Sequence, residues 1–296
     1  MATSTGNNPA LTAEQVQKIL VAPLEDKSVF LSAGPRIFDT NGSPVRVPLL
    51  VGMSEEPTWV GENELIPSDT ELETDEVTLL PEGMKSIKTI SRFSNELARQ
   101  SIVALDVAIK DRLVSDVANK LDNALISSTV TNGTVPRGLL SYQGVQEMTG
   151  VGTLELDDLL DAIGLMFAAN VDTSRLKWFM RSEVFVHLRK LKDGDDRYQL
   201  QPDPTLAGAF TLFGIPVVIT NRLPTSTNNA TPPVTSSSVV LADFSTIAVA
   251  RDLAPSVTIL TERYADYDQI GIRVTTRYDA APLLPEGVLI LRGVTT

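Results

Sequence analysis

The chain has 296 residues, enough for one large domain or two ordinary ones, and 43% of them are hydrophobic, enough to fill a core. It contains no cysteine, which excludes disulfide scaffolds, thiolate metal sites and cysteine nucleophiles together and suits a reducing compartment. Asp+Glu 37 against Lys+Arg 25 gives a net charge of -12, and with no dense basic stripe this argues against sequence-independent nucleic-acid binding, which rests on neutralising phosphates.

The first ten residues are small and polar. Thr12 with Gln15 then sets a capping box ahead of AEQVQKILVA, a short helix stopped near Pro23. Residues 1–30 therefore read as an N-terminal arm that something else must hold in place. No basic segment followed by an apolar core opens the chain, and no run approaches the ~18 apolar residues of a membrane span, so neither signal-peptide export nor membrane contact is expected. In PRIFDTNGSPVRVPLLVG, Asn41-Gly42 is a two-residue hairpin signal between short runs that include the alternating Val45, Val47, Leu49 and Val51.

The charge is segregated. EEPTWVGENELIPSDTELETDEVTLLPEG, from Glu55 to Gly83, holds ten carboxylates and no lysine, arginine or histidine, so it carries -10 of the -12 and leaves about -2 for everything else. Taken as a hairpin from Ser54 to Glu82, it has arms of roughly 14 residues and a reach of ~45 Å, against a radius of gyration of ~19 Å for a compact chain of this length. Such a ribbon protrudes, and it exposes Trp59, Val60, Leu65, Ile66, Val77, Leu79 and Leu80. Another chain is the simplest cover for them. Trp59, Ile66 and Leu79 are the candidate apolar intersubunit contacts. Glu62, Glu64, Glu71, Glu73 and Glu76 keep the ribbon soluble and offer charge to a neighbour. A disordered acidic loop is the bland alternative; the alternating ends and Trp59 favour the ordered arm.

MKSIKTISRF reads as the strand on which the chain returns, with Lys85, Lys88 and Arg92 restoring positive charge. A long helix follows in SNELARQSIVALDVAIKDRLVSDVANKLDNALISS, N-capped by Ser94 or Asn95. Ile102, Leu105, Ile109, Leu113, Val117, Leu121 and Leu125 form its apolar stripe. Unbroken from Glu96 to Ser127 it would extend ~48 Å. Asp106 with Lys110 and Asp116 with Lys120 are i,i+4 pairs for its exposed back. Beyond TNGTVPRGLL the pattern is mixed: a helix in LDDLLDAIGLMFAAN, an edge or buried strand LKWFM, a Ser182-capped helix SEVFVHLRKLKD, and a strand IPVVIT after Gly214. NRLPTSTNNATPPVTSSS reads as a surface loop. From Val239 onward VVLADFSTIAVA, SVTILTERY, IGIRVTTRYDA and GVLILRG read as short strands, and no repeat of fixed period appears.

Catalytic chemistry is sparse. His187 is the sole histidine and lies on a helix face without a second imidazole. There is no G-x-S-x-G, no P-loop and no G-x-G-x-x-G. No cofactor or metal is expected, since neither the acidic stretch nor DGDDRY at Asp193 to Tyr198 matches a calcium loop. Paired carboxylates leave an acidic-cleft hydrolase as a minor alternative, weakened by an aromatic content of 5%. Arg175, Lys177, Arg181, Arg189, Lys190 and Lys192 form a basic cluster, a solvated face by default. Arg189, Lys190 and Lys192 are the candidates within it for docking an acidic neighbour.

The order of PTWVGENELIPSDTELETDEVTLLP, ISRFSNELARQS, GTVPRGLL, WFMRSEVFVHLRKLKDGDDRYQLQPD, LFGIPVVITNRLP, VVLADFSTIAVARD and IRVTTRYDAAPLLPEGVLIL resembles the tailed-phage major capsid proteins of the Hong Kong 97 type, from about Leu11 to Val294. The resemblance implies an α+β fold with an N-terminal arm at 1–30, a peripheral domain from 31–53, 84–140 and 243–285, an extended loop at 54–83, and an axial domain from 141–242 and 286–296. The peripheral domain would hold a spine helix at 95–128. It further implies pentamers and hexamers of the same chain closing into an icosahedral shell around double-stranded DNA, without sequence-specific DNA binding. Scaffolding, portal and decoration proteins are the implied further partners, and the virion, assembled in the host cytoplasm, is the implied location. Some members cross-link through a lysine in the extended loop. This loop has none between Ser54 and Met84, so its shell strength should be noncovalent. No long scaffolding segment precedes the arm, so scaffolding would be a separate protein, removed beforehand or unnecessary. An encapsulin-like compartment holding enzyme cargo is the alternative within the same fold.

Overall fold

The computed structural model describes residues 27–53, 59–63, 72–94, 105–128, 130, 134–200, 210–228, 233–252, 256–260 and 262–295. The helix expected within residues 12–22 and the start of the long helix at Asn95 lie outside these. In chain order the elements are α1 (Val29–Ser32), β1 (Arg36–Thr40), β2 (Val45–Met53), β3 (Leu72–Leu79), β4 (Ile87–Ser94), α2 (Leu105–Leu125), β5 (Gln146–Met148), β6 (Gly152–Thr153), α3 (Leu156–Ala168), β7 (Leu176–Met180), α4 (Ser182–Lys190), β8 (Thr211–Leu212), β9 (Ile215–Ile219), β10 (Ser226–Thr227), β11 (Thr235–Asp243), β12 (Ile247–Asp252), β13 (Ser256–Leu260), β14 (Gln269–Thr276), β15 (Tyr278–Pro282) and β16 (Val288–Thr295).

Strand alternation explains how one sheet joins two cores. The eight-stranded sheet runs β5-β16-β11-β7-β9-β8, with β10 and β6 off its path. Trp178, Met180, Val239, Leu241, Leu289 and Leu291 face one side, where they meet Leu159 and Met166 of α3 and Val184 and Leu188 of α4. Their neighbours Phe179, Val240, Ala242, Val288 and Ile290 face the other, against Leu113, Val117, Leu121 and Leu125 of α2. A strand buried on both faces carries apolar residues at consecutive positions, which is why LKWFM lacks an amphipathic signature. It is an interior strand, paired with β11 on one side and β9 on the other.

The described part of α2 runs about 32 Å. Phe244 holds its core together at the centre, stacked on Phe179 (4.5 Å between centroids) and met edge-on by Phe30 (5.5 Å). Phe30 is fixed through Asp122, which is buried on α2. Its Oδ1 accepts from Ser28 Oγ (2.6 Å) and Phe30 N (3.2 Å), and its Oδ2 accepts from Val29 N (2.9 Å). One carboxylate thereby closes the orphan N–H groups of α1 and clamps the entering chain to the long helix.

Four local expectations need correction. The Asn41-Gly42 turn forms, with Gly42 at φ +87°, yet its flanking strands do not pair with each other. β1 runs parallel to β12, where Asp39 accepts from Arg251 in register (Nε–Oδ1 2.6 Å, Nη2–Oδ2 2.9 Å), and β2 pairs with β3. A fork of two charge-assisted bonds and the burial behind β12 outweigh a turn preference worth a fraction of that. Ser182 is the first helical residue of α4 rather than its cap; Arg181 is the N-cap and Ser182 Oγ donates to Asn221 Oδ1 at 2.8 Å. Asp116 pairs with Arg112 at 3.1 Å, one turn before it rather than after. Finally, the low-complexity stretch contributes β10 and the start of β11, paired through Ser226↔Ser236. Two further sheets, β1-β12-β15 and β13-β14-β4, complete the body.

Candidate intersubunit surface

β2 and β3 form a two-stranded sheet of their own, in register from Val45↔Leu79 to Met53↔Leu72, with a bulge between Leu50 and Gly52. Nine residues of strand extend it by about 30 Å. The first arm begins at Val45, earlier than the expected Ser54, because the alternation of Val45, Val47 and Leu49 matches that of Val77 and Leu79 across the ladder. On the opposite face Arg46, Pro48, Glu76 and Thr78 are exposed, with Arg46 and Glu76 3.6 Å apart. At this exposure the ion pair adds little stability. A proline in β2 costs the ladder little, because a two-stranded ribbon has only edges.

The root of the ribbon is covered by its own body. Leu79 and Leu80 are fully buried with Met84, Ala248 and Ala250, and Val45, Val47 and Val77 pack against that cluster. Leu79 and Leu80 are therefore anchors within the chain, contrary to the expected exposure, and Leu79 is not available as an intersubunit contact. The reason is the bend at Leu80. Its φ of +53° turns the backbone inward, a strained conformation for a bulky residue. Asp279 and Arg277 hold it there. Asp279 Oδ2 accepts from Leu80 N (2.8 Å), while Arg277 donates to Pro81 O (2.9 Å) and Gly42 O (3.4 Å). Burial pushes the Asp279 carboxyl up from its ordinary range, opposed by the N–H groups of Leu80 and Ala280 and by the Arg277 charge. These two residues escaped the sequence reading, because their partners Pro81 and Leu80 lie 196 and 199 residues away in sequence.

Beyond the root, residues 59–63, 75 and 76 are open. Trp59 is 104% exposed, and Val60, Glu62, Asp75 and Glu76 are exposed too. Glu73 lies on β3 opposite Gly52. Glu64, Ile66 and Glu71 lie outside the described residues. The basic cluster does not form one face. Lys177 donates to Ala33 O (2.7 Å) and Arg181 to the carbonyls of Asn221 and Leu223 (2.9 and 2.7 Å), so both fasten loops inside the chain. Arg175 pairs with Asp172 (3.9 Å). Arg189 lies over the rings of Phe185 and Phe210, and Lys192 pairs with Asp196 (3.2 Å) and covers Tyr198. Lys190 is exposed at the end of α4. His187 sits half-buried on α4, and no cluster of metal-ligating side chains occurs among the described residues. No described helix is long and apolar enough to cross a membrane.

The capsid polyprotein of Pseudomonas phage PAJU2 is 27% identical over 219 residues, which cover 70% of this chain and 32% of that polyprotein, so the chain spans about a third of that curated relative. Among solved structures, the capsid of a native GTA particle computed with C5 symmetry matches with a TM-score of 0.68 at 15% identity, over 99% of this chain and 95% of that one. Chains from Microbacterium phage Oxtober96 (TM-score 0.68, 14% identity, 89% and 90% covered) and Mycobacterium phage Cain (0.67, 15%, 90% and 90%) match similarly. At these identities the likeness carries the fold, which is the expected α+β, Hong Kong 97-like capsid fold. The model of the phage capsid family matches residues 10–293. With that match spanning nearly its whole length, the chain belongs to the phage capsid family.

Proposed function

We propose that this capsid protein assembles with copies of itself, as pentamers and hexamers, into an icosahedral shell that encloses the double-stranded DNA of a tailed phage, with each ribbon resting on the next subunit. The observation that carries the reading is Trp59, wholly exposed in its own chain on a segment whose only charges are carboxylates. An indole left in water gains nothing, whereas covered by a partner it becomes the kind of anchor on which interfaces depend. The carboxylates Glu62, Glu64, Glu71, Glu73 and Glu76 would surround that anchor, with Ile66 beside it. Arg189, Lys190 and Lys192 would face the carboxylates farther from the indole, Glu71, Glu73 and Glu76.

In this reading the body divides into a peripheral part (31–53, 84–140, 243–285) and an axial part (141–242, 286–296), joined to the arm at 1–30 and the loop at 54–83. The role is structural, not enzymatic. DNA is enclosed without being gripped, in keeping with a net charge of -12. The loop has no lysine, so shell strength would come from burial and from any decoration protein. Assembly in the host cytoplasm, with scaffolding, portal and decoration proteins as candidate further partners, completes the proposal. Sizing and negative-stain microscopy of the purified full chain test it. Rings or closed megadalton particles are expected, and a species that stays at 32.0 kDa under every concentrating condition would overturn it.

A further inference from the structure

A cavity of about 490 Å³ opens between α2 and β4. Val117, Ala124, Val135, Pro136 and the ring of Tyr278 supply apolar walls, and Lys85, Lys88 and Lys120 stand exposed at its rim. Asp116 is the one carboxylate among the described lining residues, and it already pairs with Arg112. The volume lies in the range of pockets that take an aromatic group, and an apolar floor under three ammonium groups favours an aromatic ligand carrying negative charge. The ribbon has that chemistry. Trp59 follows Glu55 and Glu56 and precedes Glu62 and Glu64, with no basic residue from 55 to 83. Its full exposure means that none of the described residues of its own chain covers it.

We infer that the cavity between α2 and β4 is the seat for Trp59 of a second copy, with Lys85, Lys88 and Lys120 facing the carboxylates that flank the indole. This deepens the ribbon reading and rests on it. Complementary charge would speed the encounter and select the register, and burial of the indole would supply most of the hold.

The chain has two tryptophans, and Trp178 is fully buried, so a change in emission on assembly reports Trp59. In the full-length protein, assembly should shift the emission to the blue and protect it from acrylamide. Lys88→Glu with Lys120→Glu, both at exposed positions, should abolish closed particles while leaving the circular dichroism of the subunit unchanged. Adding Glu62→Lys and Glu64→Lys to the same chain should restore particles. Ala124→Phe, which fills the cavity without adding a third indole, should leave Trp59 open to quencher. Normal particles from the lysine reversals, including particles that differ only in DNA content, would overturn the assignment, as would particles of the filled variant with Trp59 still protected. Deleting Glu62–Glu76 tests the underlying reading separately: if that deletion blocks shells while the cavity variants build them, the cavity assignment alone falls.

Discussion

Asp122 shows how much one side chain can organise. It is buried on α2 and accepts three hydrogen bonds from residues 28–30, so removing it leaves three donors without an acceptor. Asp122→Ala should cost about 2–4 kcal/mol, the range set by burying several unsatisfied donors. A lowered urea midpoint would register it, and an unchanged midpoint would contradict this account of how the entering chain is held. At the ribbon the relevant quantity is assembly. Trp59→Ala should raise the critical concentration for assembly by an amount equivalent to about 2 kcal/mol or more, as for a desolvated aromatic anchor. Glu62→Gln, an exposed carboxylate, should change it by less than about 1 kcal/mol. Light scattering against concentration gives both values, and equal small effects would remove the indole from its central place.

At the scale of elements, the ribbon divides functionally where its burial ends. Leu79 and Leu80 belong to the body's own cluster, while Asp75, Glu76 and residues 59–63 lie in solvent. Deletion of Glu62–Glu76 should therefore leave a soluble subunit with the helical signal of α2 intact and yield no closed shells in negative stain. Normal particles from the deletion would refute the arm. The ribbon, the long helix and the strands after Val239 were legible in advance because each rests on short-range periodicity or charge. The bend at Leu80 was not, since it depends on an acceptor 199 residues away in sequence.

For the whole molecule, pH acts through groups whose folded and unfolded states hold protons differently. Burial raises the Asp279 carboxyl above its ordinary 3.8. A raised carboxyl contributes stability that is fully present below 3.8 and is lost as pH rises through the folded value. Asp279→Asn removes that loss. Its urea midpoint, lower than wild type because one acceptor is gone, should fall less steeply from about pH 4 to 7, and parallel curves would show that Asp279 is not the cause. Glu147 acts in the opposite sense. The hydrogen bond from Arg292 at 2.6 Å lowers its pKa, so its contribution is present above the ordinary 4.5 and disappears only in stronger acid.

From the sequence alone came the order of helices and strands, the segregation of -10 of the charge into one segment, the exposure of Trp59 and the scarcity of catalytic groups. All of these are written in neighbouring residues. Strand partnership was decided only in three dimensions. β1 joined β12 instead of β2, β2 joined β3, and the sheet carrying Trp178 found a core on each face. Pairing of that kind is settled by which distant surfaces bury each other best, and that energy is spread over residues a local pattern never brings together.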